Sequence, residues 1–322
     1  MKVSIVASVY NEELSLKLFH EETTRFLKSC VNDYEIIFVN DGSSDDSLSV
    51  IKEIMNRDDR VGMVSFSRNF GHEAAMIAGI DYATGDGIIC MDSDLQHPPE
   101  TIPEILAKFE EGYDVISMVR TANKKVGLIK KVTSKGFYKV LNALSPVRFE
   151  ENASDFFALS ARAAKVLRQD YRERVRFLRG MVQIIGFNKT ALEYEAHDRV
   201  AGESKYSIKK LIRFSYNALC SFSDVPLRLG IYAGVMVGLI GLIIMIYSII
   251  SKFVYGAPAG YPTLIVVICF MFFVTLVSIG IIGEYLAVLF TEIKGRPIYL
   301  VRDVYIPEKE NDDEINPTVQ KI

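Results

Sequence analysis

Asp92-Ser93-Asp94 is the stretch of this sequence best suited to chemistry. Two carboxylates flanking one residue can hold a hard divalent cation together with phosphate oxygens. A cation so placed offsets charge on a departing diphosphate. Gln96 adds a neutral oxygen at the next alternate position. The same pattern also occurs as a plain surface turn. What sets it apart here is its place directly after the apolar run Gly87 to Met91, with Gln96-His97-Pro98-Pro99 following. Three other polar clusters end apolar runs in the same way: Tyr10-Asn11-Glu12, Asn40-Asp41-Gly42-Ser43 and Ser67-Arg68-Asn69-Phe70-Gly71-His72. A carboxylate at Asp41 can accept from a base or a ribose hydroxyl. The segment reads equally as a helix N-cap provided by Ser43 or Ser44. Glu12 can face the same ligand, and Arg68 and Asn69 can line the same cleft. Acidic clusters gathered on one rim repel one another unless a cation is present. Further on, Arg199-Val200-Ala201-Gly202-Glu203-Ser204-Lys205-Tyr206 is basic. Arg199 and Lys205 can clamp a phosphate, such as an anionic lipid headgroup. The alternative is plain attraction to anionic lipid, worth about 1 kcal/mol per basic residue.

These clusters need elements that bring them together. Residues 1 to about 120 alternate between short apolar runs and helical patterns. Strands are expected at Val3 to Val9, Glu35 to Val39, Val61 to Phe66, Gly87 to Met91 and Asp114 to Met118. Helices are expected at about Leu14 to Lys28, Ser47 to Asn56 and His72 to Ala83, with another opening near Pro99. That rhythm implies a mostly parallel sheet covered on both faces. Ligands of such sheets sit beyond the C-terminal strand ends, so the four clusters should share one rim. Residues 120 to 200 are less regular. They mix Lys124, Lys125, Lys130, Lys131 and Lys135 with the segment Asp155-Phe156-Phe157-Ala158-Leu159, and read as the acceptor-side half of the same domain.

The C-terminal third differs. Ser207 to Phe222 places Ile208, Leu211, Ile212, Leu219 and Phe222 on one helical face and Lys209, Lys210 and Arg213 on another. This suits a helix lying in a membrane interface, or an ordinary surface helix packed on a core. Leu229 to Ile250 is apolar without a charge, and Thr263 to Phe290 is broken only by Glu284. Each is as long as a membrane span requires, and together they read as a hairpin. Lys205, Lys209, Lys210, Arg213 and Arg228 precede the first run, and Lys294, Arg296 and Arg302 follow the second. The link between them carries Lys252 alone. Positive charge stays cytoplasmic, so the catalytic region and both termini are expected to face the cytosol. The expected division is a domain at 1–206, an interfacial region at 207–228, a hairpin at 229–293 with spans about 229–251 and 263–290, and a tail at 294–322, of which Glu308 to Ile322 is expected to be disordered. No signal peptide is expected before the first strand.

Composition narrows the field. Hydrophobic residues at 49% and charged ones at 24% suit a folded chain, and a net charge of −3 argues against a nucleic-acid binder. Cys30, Cys90, Cys220 and Cys269 are too scattered for a metal knuckle. Neither a GxGxxG nor a GxxxxGK[ST] follows any strand, which speaks against dinucleotide and P-loop folds.

Taken together the motifs resemble those of family 2 glycosyltransferases of the GT-A fold, and within them the polyprenyl-phosphate glycosyltransferases. The matching stretches are Val9 to Glu12, Val39 to Ser43, Phe66 to Gly71, Met91 to Pro98, Ser154 to Phe156, Gly202 to Tyr206, and Ile282 to Leu286 before Lys294-Gly295-Arg296-Pro297. The resemblance implies a Rossmann-like, mostly parallel α/β catalytic domain followed by an interfacial helix and a two-helix transmembrane hairpin. It implies inverting transfer of one sugar from a nucleotide-sugar, with UDP-glucose or UDP-N-acetylglucosamine as the expected donor, to a polyprenyl phosphate such as undecaprenyl phosphate. Asp92, Asp94 and Gln96 would ligate Mg²⁺ or Mn²⁺. Val9, Tyr10, Glu12, Asp41, Asn69, Asp92 and Ser93 would bind the nucleotide-sugar. Asp155 would be the catalytic carboxylate, with Asp94 beside it. Arg199, Ser204 and Lys205 would hold the acceptor phosphate. The expected setting is the inner membrane, crossed more than once, with homo-oligomers and a separate sugar-lipid flippase as partners. Two departures stand out: Asp155-Phe156-Phe157 where the family often reads Asp-Phe-Arg, and Ala287-Val288-Leu289 where a Gly-Arg pair is common. A processive polysaccharide synthase, a non-catalytic membrane module and a nucleotidyltransferase are the competing readings.

Overall fold

The computed structural model describes residues 1–121, 153–174, 177–197, 225–255 and 261–307. They fall into two units. One is built from the N-terminal 211 residues with the segment from Arg296 onward, the other from Ile212–Gly295.

The first unit is an α/β layered domain. Its elements in chain order are β1 (Lys2–Val9), α1 (Leu16–Cys30), β2 (Asp33–Asn40), α2 (Ser47–Met55), β3 (Val61–Phe66), α3 (His72–Tyr82) and β4 (Gly87–Asp92). A short 3₁₀ turn at Pro99–Thr101 leads into α4 (Ile102–Glu110) and β5 (Val115–Arg120). Then come β6 (Ala153–Ser160), α5 (Ala161–Gln169), α6 (Leu178–Ile184), β7 (Lys189–Tyr194) and, at the far end of the chain, β8 (Val301–Tyr305). The eight strands form one sheet in the order β7-β5-β6-β4-β1-β2-β3-β8. β1 pairs in parallel with β2 and β4, and β2 in parallel with β3. β6 runs antiparallel between β4 and β5, and β8 antiparallel against β3.

The central strands are continuous apolar runs because helices cover both their faces. Val3, Ile5, Val6, Ala7, Ile36, Ile37, Phe38 and Val39 are all fully buried. The chain builds β1, β2 and β3 outward in one direction, then returns to place β4 on the other side of β1. The switch therefore lies between β1 and β4, the place where an open sheet of this kind leaves a crevice at its C-terminal edge.

Three strands depart from the expected plan. β6 and β7 lie within the stretch expected to be irregular. β8 lies within 294–322, the segment expected to be a tail. It closes the β3 edge of the sheet instead. The return is fastened by buried groups. Tyr299 stacks on Phe66 at 5.0 Å, and its hydroxyl donates to Asp81 Oδ2 at 2.7 Å. Arg172 holds the same carboxylate with two hydrogen bonds of 2.9 and 3.0 Å.

Among the described residues the second unit holds two helices packed on each other, α7 (Val225–Tyr255) and α8 (Tyr261–Ile293). Among the described residues one stretch, Phe270–Ile293, is long and apolar enough to cross a membrane, with a mean hydropathy of 2.1 and none of it buried. In α7 the corresponding stretch is the shorter Tyr232–Ile244. The described residues thus supply one candidate span where two were expected. The interfacial helix expected at 207–222 lies outside the described residues, as do Arg199, Ser204, Lys205, the lysines from 124 to 135 and the acidic end of the chain.

Candidate active site

The four strand-end clusters meet on one rim, joined by their own hydrogen bonds. Asn11 sits in the left-handed region at φ 57° and donates through its amide N–H to Ser43 Oγ at 3.1 Å, while its Oδ1 accepts from Ser44 N at 2.8 Å. Glu12 N donates to Ser47 Oγ at 2.9 Å. These bonds lace the β1 and β2 loops together. Asp41 laces the β2 loop to the β3 loop. It is buried, and its two carboxylate oxygens accept from Phe70 N at 2.6 Å and Gly71 N at 2.9 Å. Burial pushes the Asp41 carboxyl above its ordinary range, against the pull of those two amides.

Asp92 ends β4 beside Ser8 of β1. Ser8 Oγ donates to Asp92 Oδ1 at 3.2 Å and lies 2.9 Å from His72 Nδ1. With its one proton directed at Asp92, Ser8 can only accept from His72, so Nδ1 carries a proton. The other ring nitrogen, Nε2, is buried without a hydrogen bond, 3.8 Å from Asp155 Oδ2. Burial works against charge on this imidazole. The carboxylates of Asp92 and Asp155 outweigh it and raise its pKa. His97 is the opposite case. Its Nδ1 accepts from Asp92 N at 2.8 Å, and burial lowers its pKa despite the same carboxylates. The two imidazoles that flank Asp92 are thus shifted in opposite directions. His97 is fixed by stacking on Phe156, 4.9 Å between centroids, and by the edge of Tyr194 at 5.9 Å.

Asp155 comes from β6 and meets Arg179 from α6. Arg179 Nε donates to Oδ1 at 3.1 Å and Nη2 to Oδ2 at 2.7 Å. Burial alone would raise the Asp155 carboxyl. The adjacent guanidinium and the His72 imidazole overcome that and hold it far below the usual carboxylate range. Phe157, where the family often has arginine, is buried in the sheet. The guanidinium beside Asp155 comes from Arg179 instead. α6 is itself tied to α3, because Leu178 N donates to Glu73 Oε1 at 3.2 Å.

The remaining expected residues are placed as follows. Val9 is buried, and its carbonyl accepts from Asp41 N at 2.9 Å. Tyr10 is exposed on the rim, a flat face to which a base can stack. Glu12 turns toward its own helix and accepts from Ser15 Oγ at 3.2 Å. Asn69 is exposed and its carbonyl accepts from Arg68 Nη1 at 2.9 Å. Ser93 is buried and donates to Ser8 O at 2.9 Å, which pins the turn after β4 to β1. Asp94 is buried, with Oδ1 accepting from Gln96 N at 3.0 Å. Leu95, between them, is held at φ 62°, a strained value for a residue with a branched side chain and one that tends to persist at functional sites.

The expectation that rim acids call for a cation is partly met by the protein itself. Amides take up the charge of Asp41, and Arg179 and His72 take up that of Asp155. Asp92, which accepts from Ser8, and Asp94, which accepts from Gln96 N, supply hard oxygen donors. Among the described residues no group of three or more His, Cys, Asp or Glu side chains forms a metal cage. A pair of carboxylates that leaves most positions to water and phosphate oxygens is the donor set Mg²⁺ or Mn²⁺ takes on a nucleotide, so the residues fit a cation shared with a diphosphate.

His72, His97 and Arg179 were not singled out by sequence reasoning. Arg179 left one signal, a lone charge in the otherwise apolar Phe177-Leu178-Arg179-Gly180-Met181-Val182, whose five neighbours are buried.

Residues 4–168 match the family model described as glycosyl transferase family 2. An uncharacterized glycosyltransferase of Bacillus subtilis (strain 168) is 37% identical over 306 residues, covering 95% of this chain and 94% of that one. The SfII prophage-derived bactoprenol glucosyl transferase of Shigella flexneri is 37% identical over 303 residues, covering 94% and 98%. A prophage bactoprenol glucosyl transferase homolog of Escherichia coli (strain K12) is 36% identical over 305 residues, covering 94% and 99%.

Proposed function

The chain belongs to glycosyl transferase family 2, and from that premise we propose that it transfers a single sugar, with inversion, from a nucleotide-sugar to a polyprenyl phosphate at the cytoplasmic face of a membrane. The observation that carries the reading is the pair Asp92 and Asp94 at the sheet's switch point, facing an arginine-bound Asp155 across His72. Relatives of similar length named as bactoprenol glucosyl transferases favour a polyprenyl phosphate acceptor and a glucose donor.

In this reading the exposed ring of Tyr10 and the loop held by Asp41 receive the nucleoside. Asp92, Asp94 and Gln96 would hold Mg²⁺ or Mn²⁺, which when bound offsets the charge gathering on the departing diphosphate. Ser8, His97 and Ser93 fix the Asp92 turn against β1. His72 and Asp155 face the space beside Asp92, where the sugar would lie. The acceptor phosphate oxygen attacks the anomeric carbon from the side opposite the diphosphate. A phosphate monoester loses its second proton near pH 6, so it attacks already ionised.

Two membrane crossings belong to the proposal too. What supports two rather than one is β8. The chain leaves the catalytic unit before α7 and rejoins the same sheet after α8. A single crossing would strand β8 on the wrong side of the bilayer. α7 also exposes Tyr232, Val235, Leu239, Ile243 and Tyr247, side chains that belong in lipid. Basic residues before α7 and after α8 put that shared side in the cytoplasm.

The test is incubation of the purified full-length protein with undecaprenyl phosphate, Mg²⁺ or Mn²⁺ and a panel of nucleotide-sugars, with the lipid read by mass spectrometry. A gain of one hexose or N-acetylhexosamine, lost in Asp94→Ala, is expected. A folded, membrane-embedded protein that modifies no lipid with any donor sinks the reading.

A further inference from the structure

We propose that Arg179 is a positioning residue that makes Asp155 a fixed anion in the transfer reaction and not its base. The proposal rests on the glycosyl-transfer reading above. Both carboxylate oxygens of Asp155 already accept hydrogen bonds from one guanidinium, at 3.1 and 2.7 Å. A bidentate pair of this kind fixes direction as well as charge. The groups facing Asp155 are Arg179 from α6, His72 from α3 with Nε2 at 3.8 Å, and the more distant His97 from the turn after β4. A proton taken up by Asp155 would break the charge pairing of both hydrogen bonds from the Arg179 guanidinium and leave that cation without its partner anion. That makes a poor base.

The chemistry does not ask for one. As the acceptor phosphate oxygen bonds to the anomeric carbon, the bond from that carbon to the diphosphate oxygen breaks. Its electron pair leaves with the nucleoside diphosphate, and no proton has to move. What does build up is positive charge on the anomeric carbon and ring oxygen. A carboxylate held ionised and aimed from a fixed direction stabilises that charge. Arg179 acts through Asp155 and is itself held in place. Its carbonyl accepts from Gln183 Nε2 at 3.0 Å, and α6 buries Leu178, Met181 and Val182.

The experiment compares wild type, Arg179→Lys, Arg179→Gln and Asp155→Asn, full length, with undecaprenyl phosphate and the donor found active. Melting curves confirm folding. Arg179→Gln should lower kcat by roughly 100-fold, the scale for losing one preorganised electrostatic group, while the donor KM moves little. Once Arg179 is gone, burial raises the Asp155 carboxyl, and protonation removes the anion. The kcat of Arg179→Gln should therefore fall more steeply with falling pH than that of wild type, whose own acid limb comes from the acceptor phosphate ionising near pH 6. Added guanidinium and the Lys variant should both restore part of kcat. A loss in Arg179→Gln that is the same fold at every pH, or near-normal turnover of Asp155→Asn, overturns the proposal. If wild type makes no lipid product, the acceptor reading has failed, and infrared spectra still decide the inference. Arg179→Gln should then show a protonated-carboxyl band near pH 6 that is missing in wild type and in the double variant with Asp155→Asn. Its absence in Arg179→Gln overturns the proposal.

Discussion

Gly42→Ala should be among the most damaging single-methyl additions in the catalytic unit. Gly42 sits at φ +64°, and a Cβ built there would lie 2.5 Å from the Arg68 carbonyl carbon and 2.6 Å from Asn69 N. Both are backbone atoms, so no side chain can swing aside. The left-handed conformation costs about 1 kcal/mol once a Cβ is present. Relieving the clash moves the loop that gives its Phe70 and Gly71 amides to Asp41. A hydrogen bond to a charged group is worth about 1.5–3 kcal/mol, and losing one leaves a buried carboxylate half satisfied. The sum is about 2.5–4 kcal/mol. Gly71→Ala is the control. Its φ is +99°, yet an added Cβ meets nothing within 4 Å. The cost there is conformational strain alone, about 1–3 kcal/mol. For a unit of this size 1 kcal/mol shifts the melting temperature by about 2–4 °C, so the drops should be about 5–16 °C and 2–12 °C. The chain has no tryptophan, so melting is best followed by circular dichroism in detergent. Gly42→Ala should also raise the donor KM. A Gly42→Ala protein that melts within about 2 °C of wild type would refute the reasoning.

Tyr299→Phe keeps the stack on Phe66 and deletes the hydroxyl that donates to Asp81, so it should lower the melting temperature by about 5 °C. Asp114 is bound by the Arg162 guanidinium and by Ser160, and that guanidinium, acting against burial, holds its carboxyl below the ordinary range. A depressed folded-state pKa gives stability that is present above the unfolded value near 3.9 and lost as pH falls through the folded one. Asp114→Asn should therefore flatten acid denaturation below about pH 4, with an effect near neutral pH of only about 1 kcal/mol because Arg162 is largely exposed. Cys30 is exposed, whereas burial drives the Cys90 thiol pKa far up. Maleimide should label Cys30 in the folded protein and Cys90 only on unfolding, as peptide mass spectrometry would show.

Much of the sheet could be read from residues alone because β1 to β4 are buried on both faces. Val3 to Val9 or Gly87 to Met91 can scarcely be anything but central strands, and the polar residue that ends each one marks the rim. β6 carries the same kind of core in Phe156 to Leu159 but opens on Ala153-Ser154-Asp155, polar enough to blur its start. β7 alternates exposed and half-buried residues at a sheet edge, and β8 is five residues long with four exposed. Such edge strands take their identity from the partner they pair with. The site divides in the same way. Asp92, Asp94 and Asp41 announce themselves by position and Asp155 through the resemblance alone, whereas their partners do not. His72 reaches Asp92 across 20 positions in the chain, and Arg179 reaches Asp155 across 24. Those meetings are set by how α3 and α6 pack, which no local pattern encodes. Asp41 shows the reverse limit: a carboxylate well placed for a ligand turns out to be engaged by two backbone amides.

The position of β8 has a consequence for how the protein is born. A ribosome delivers β3 early and the strand that covers it only after both long helices have been made. Until then the β3 edge, with its row of unpaired amides and carbonyls, is open to any passing strand. On the proposed two-crossing topology the nascent catalytic unit has to wait, edge exposed, while its hydrophobic helices are handed to the bilayer. Completion of the enzyme becomes a report that insertion has succeeded. Chains that stall before Val301, or whose helices fail to insert, should be the ones that aggregate or fall to quality-control proteases, even though every residue of the acidic rim is already present in them.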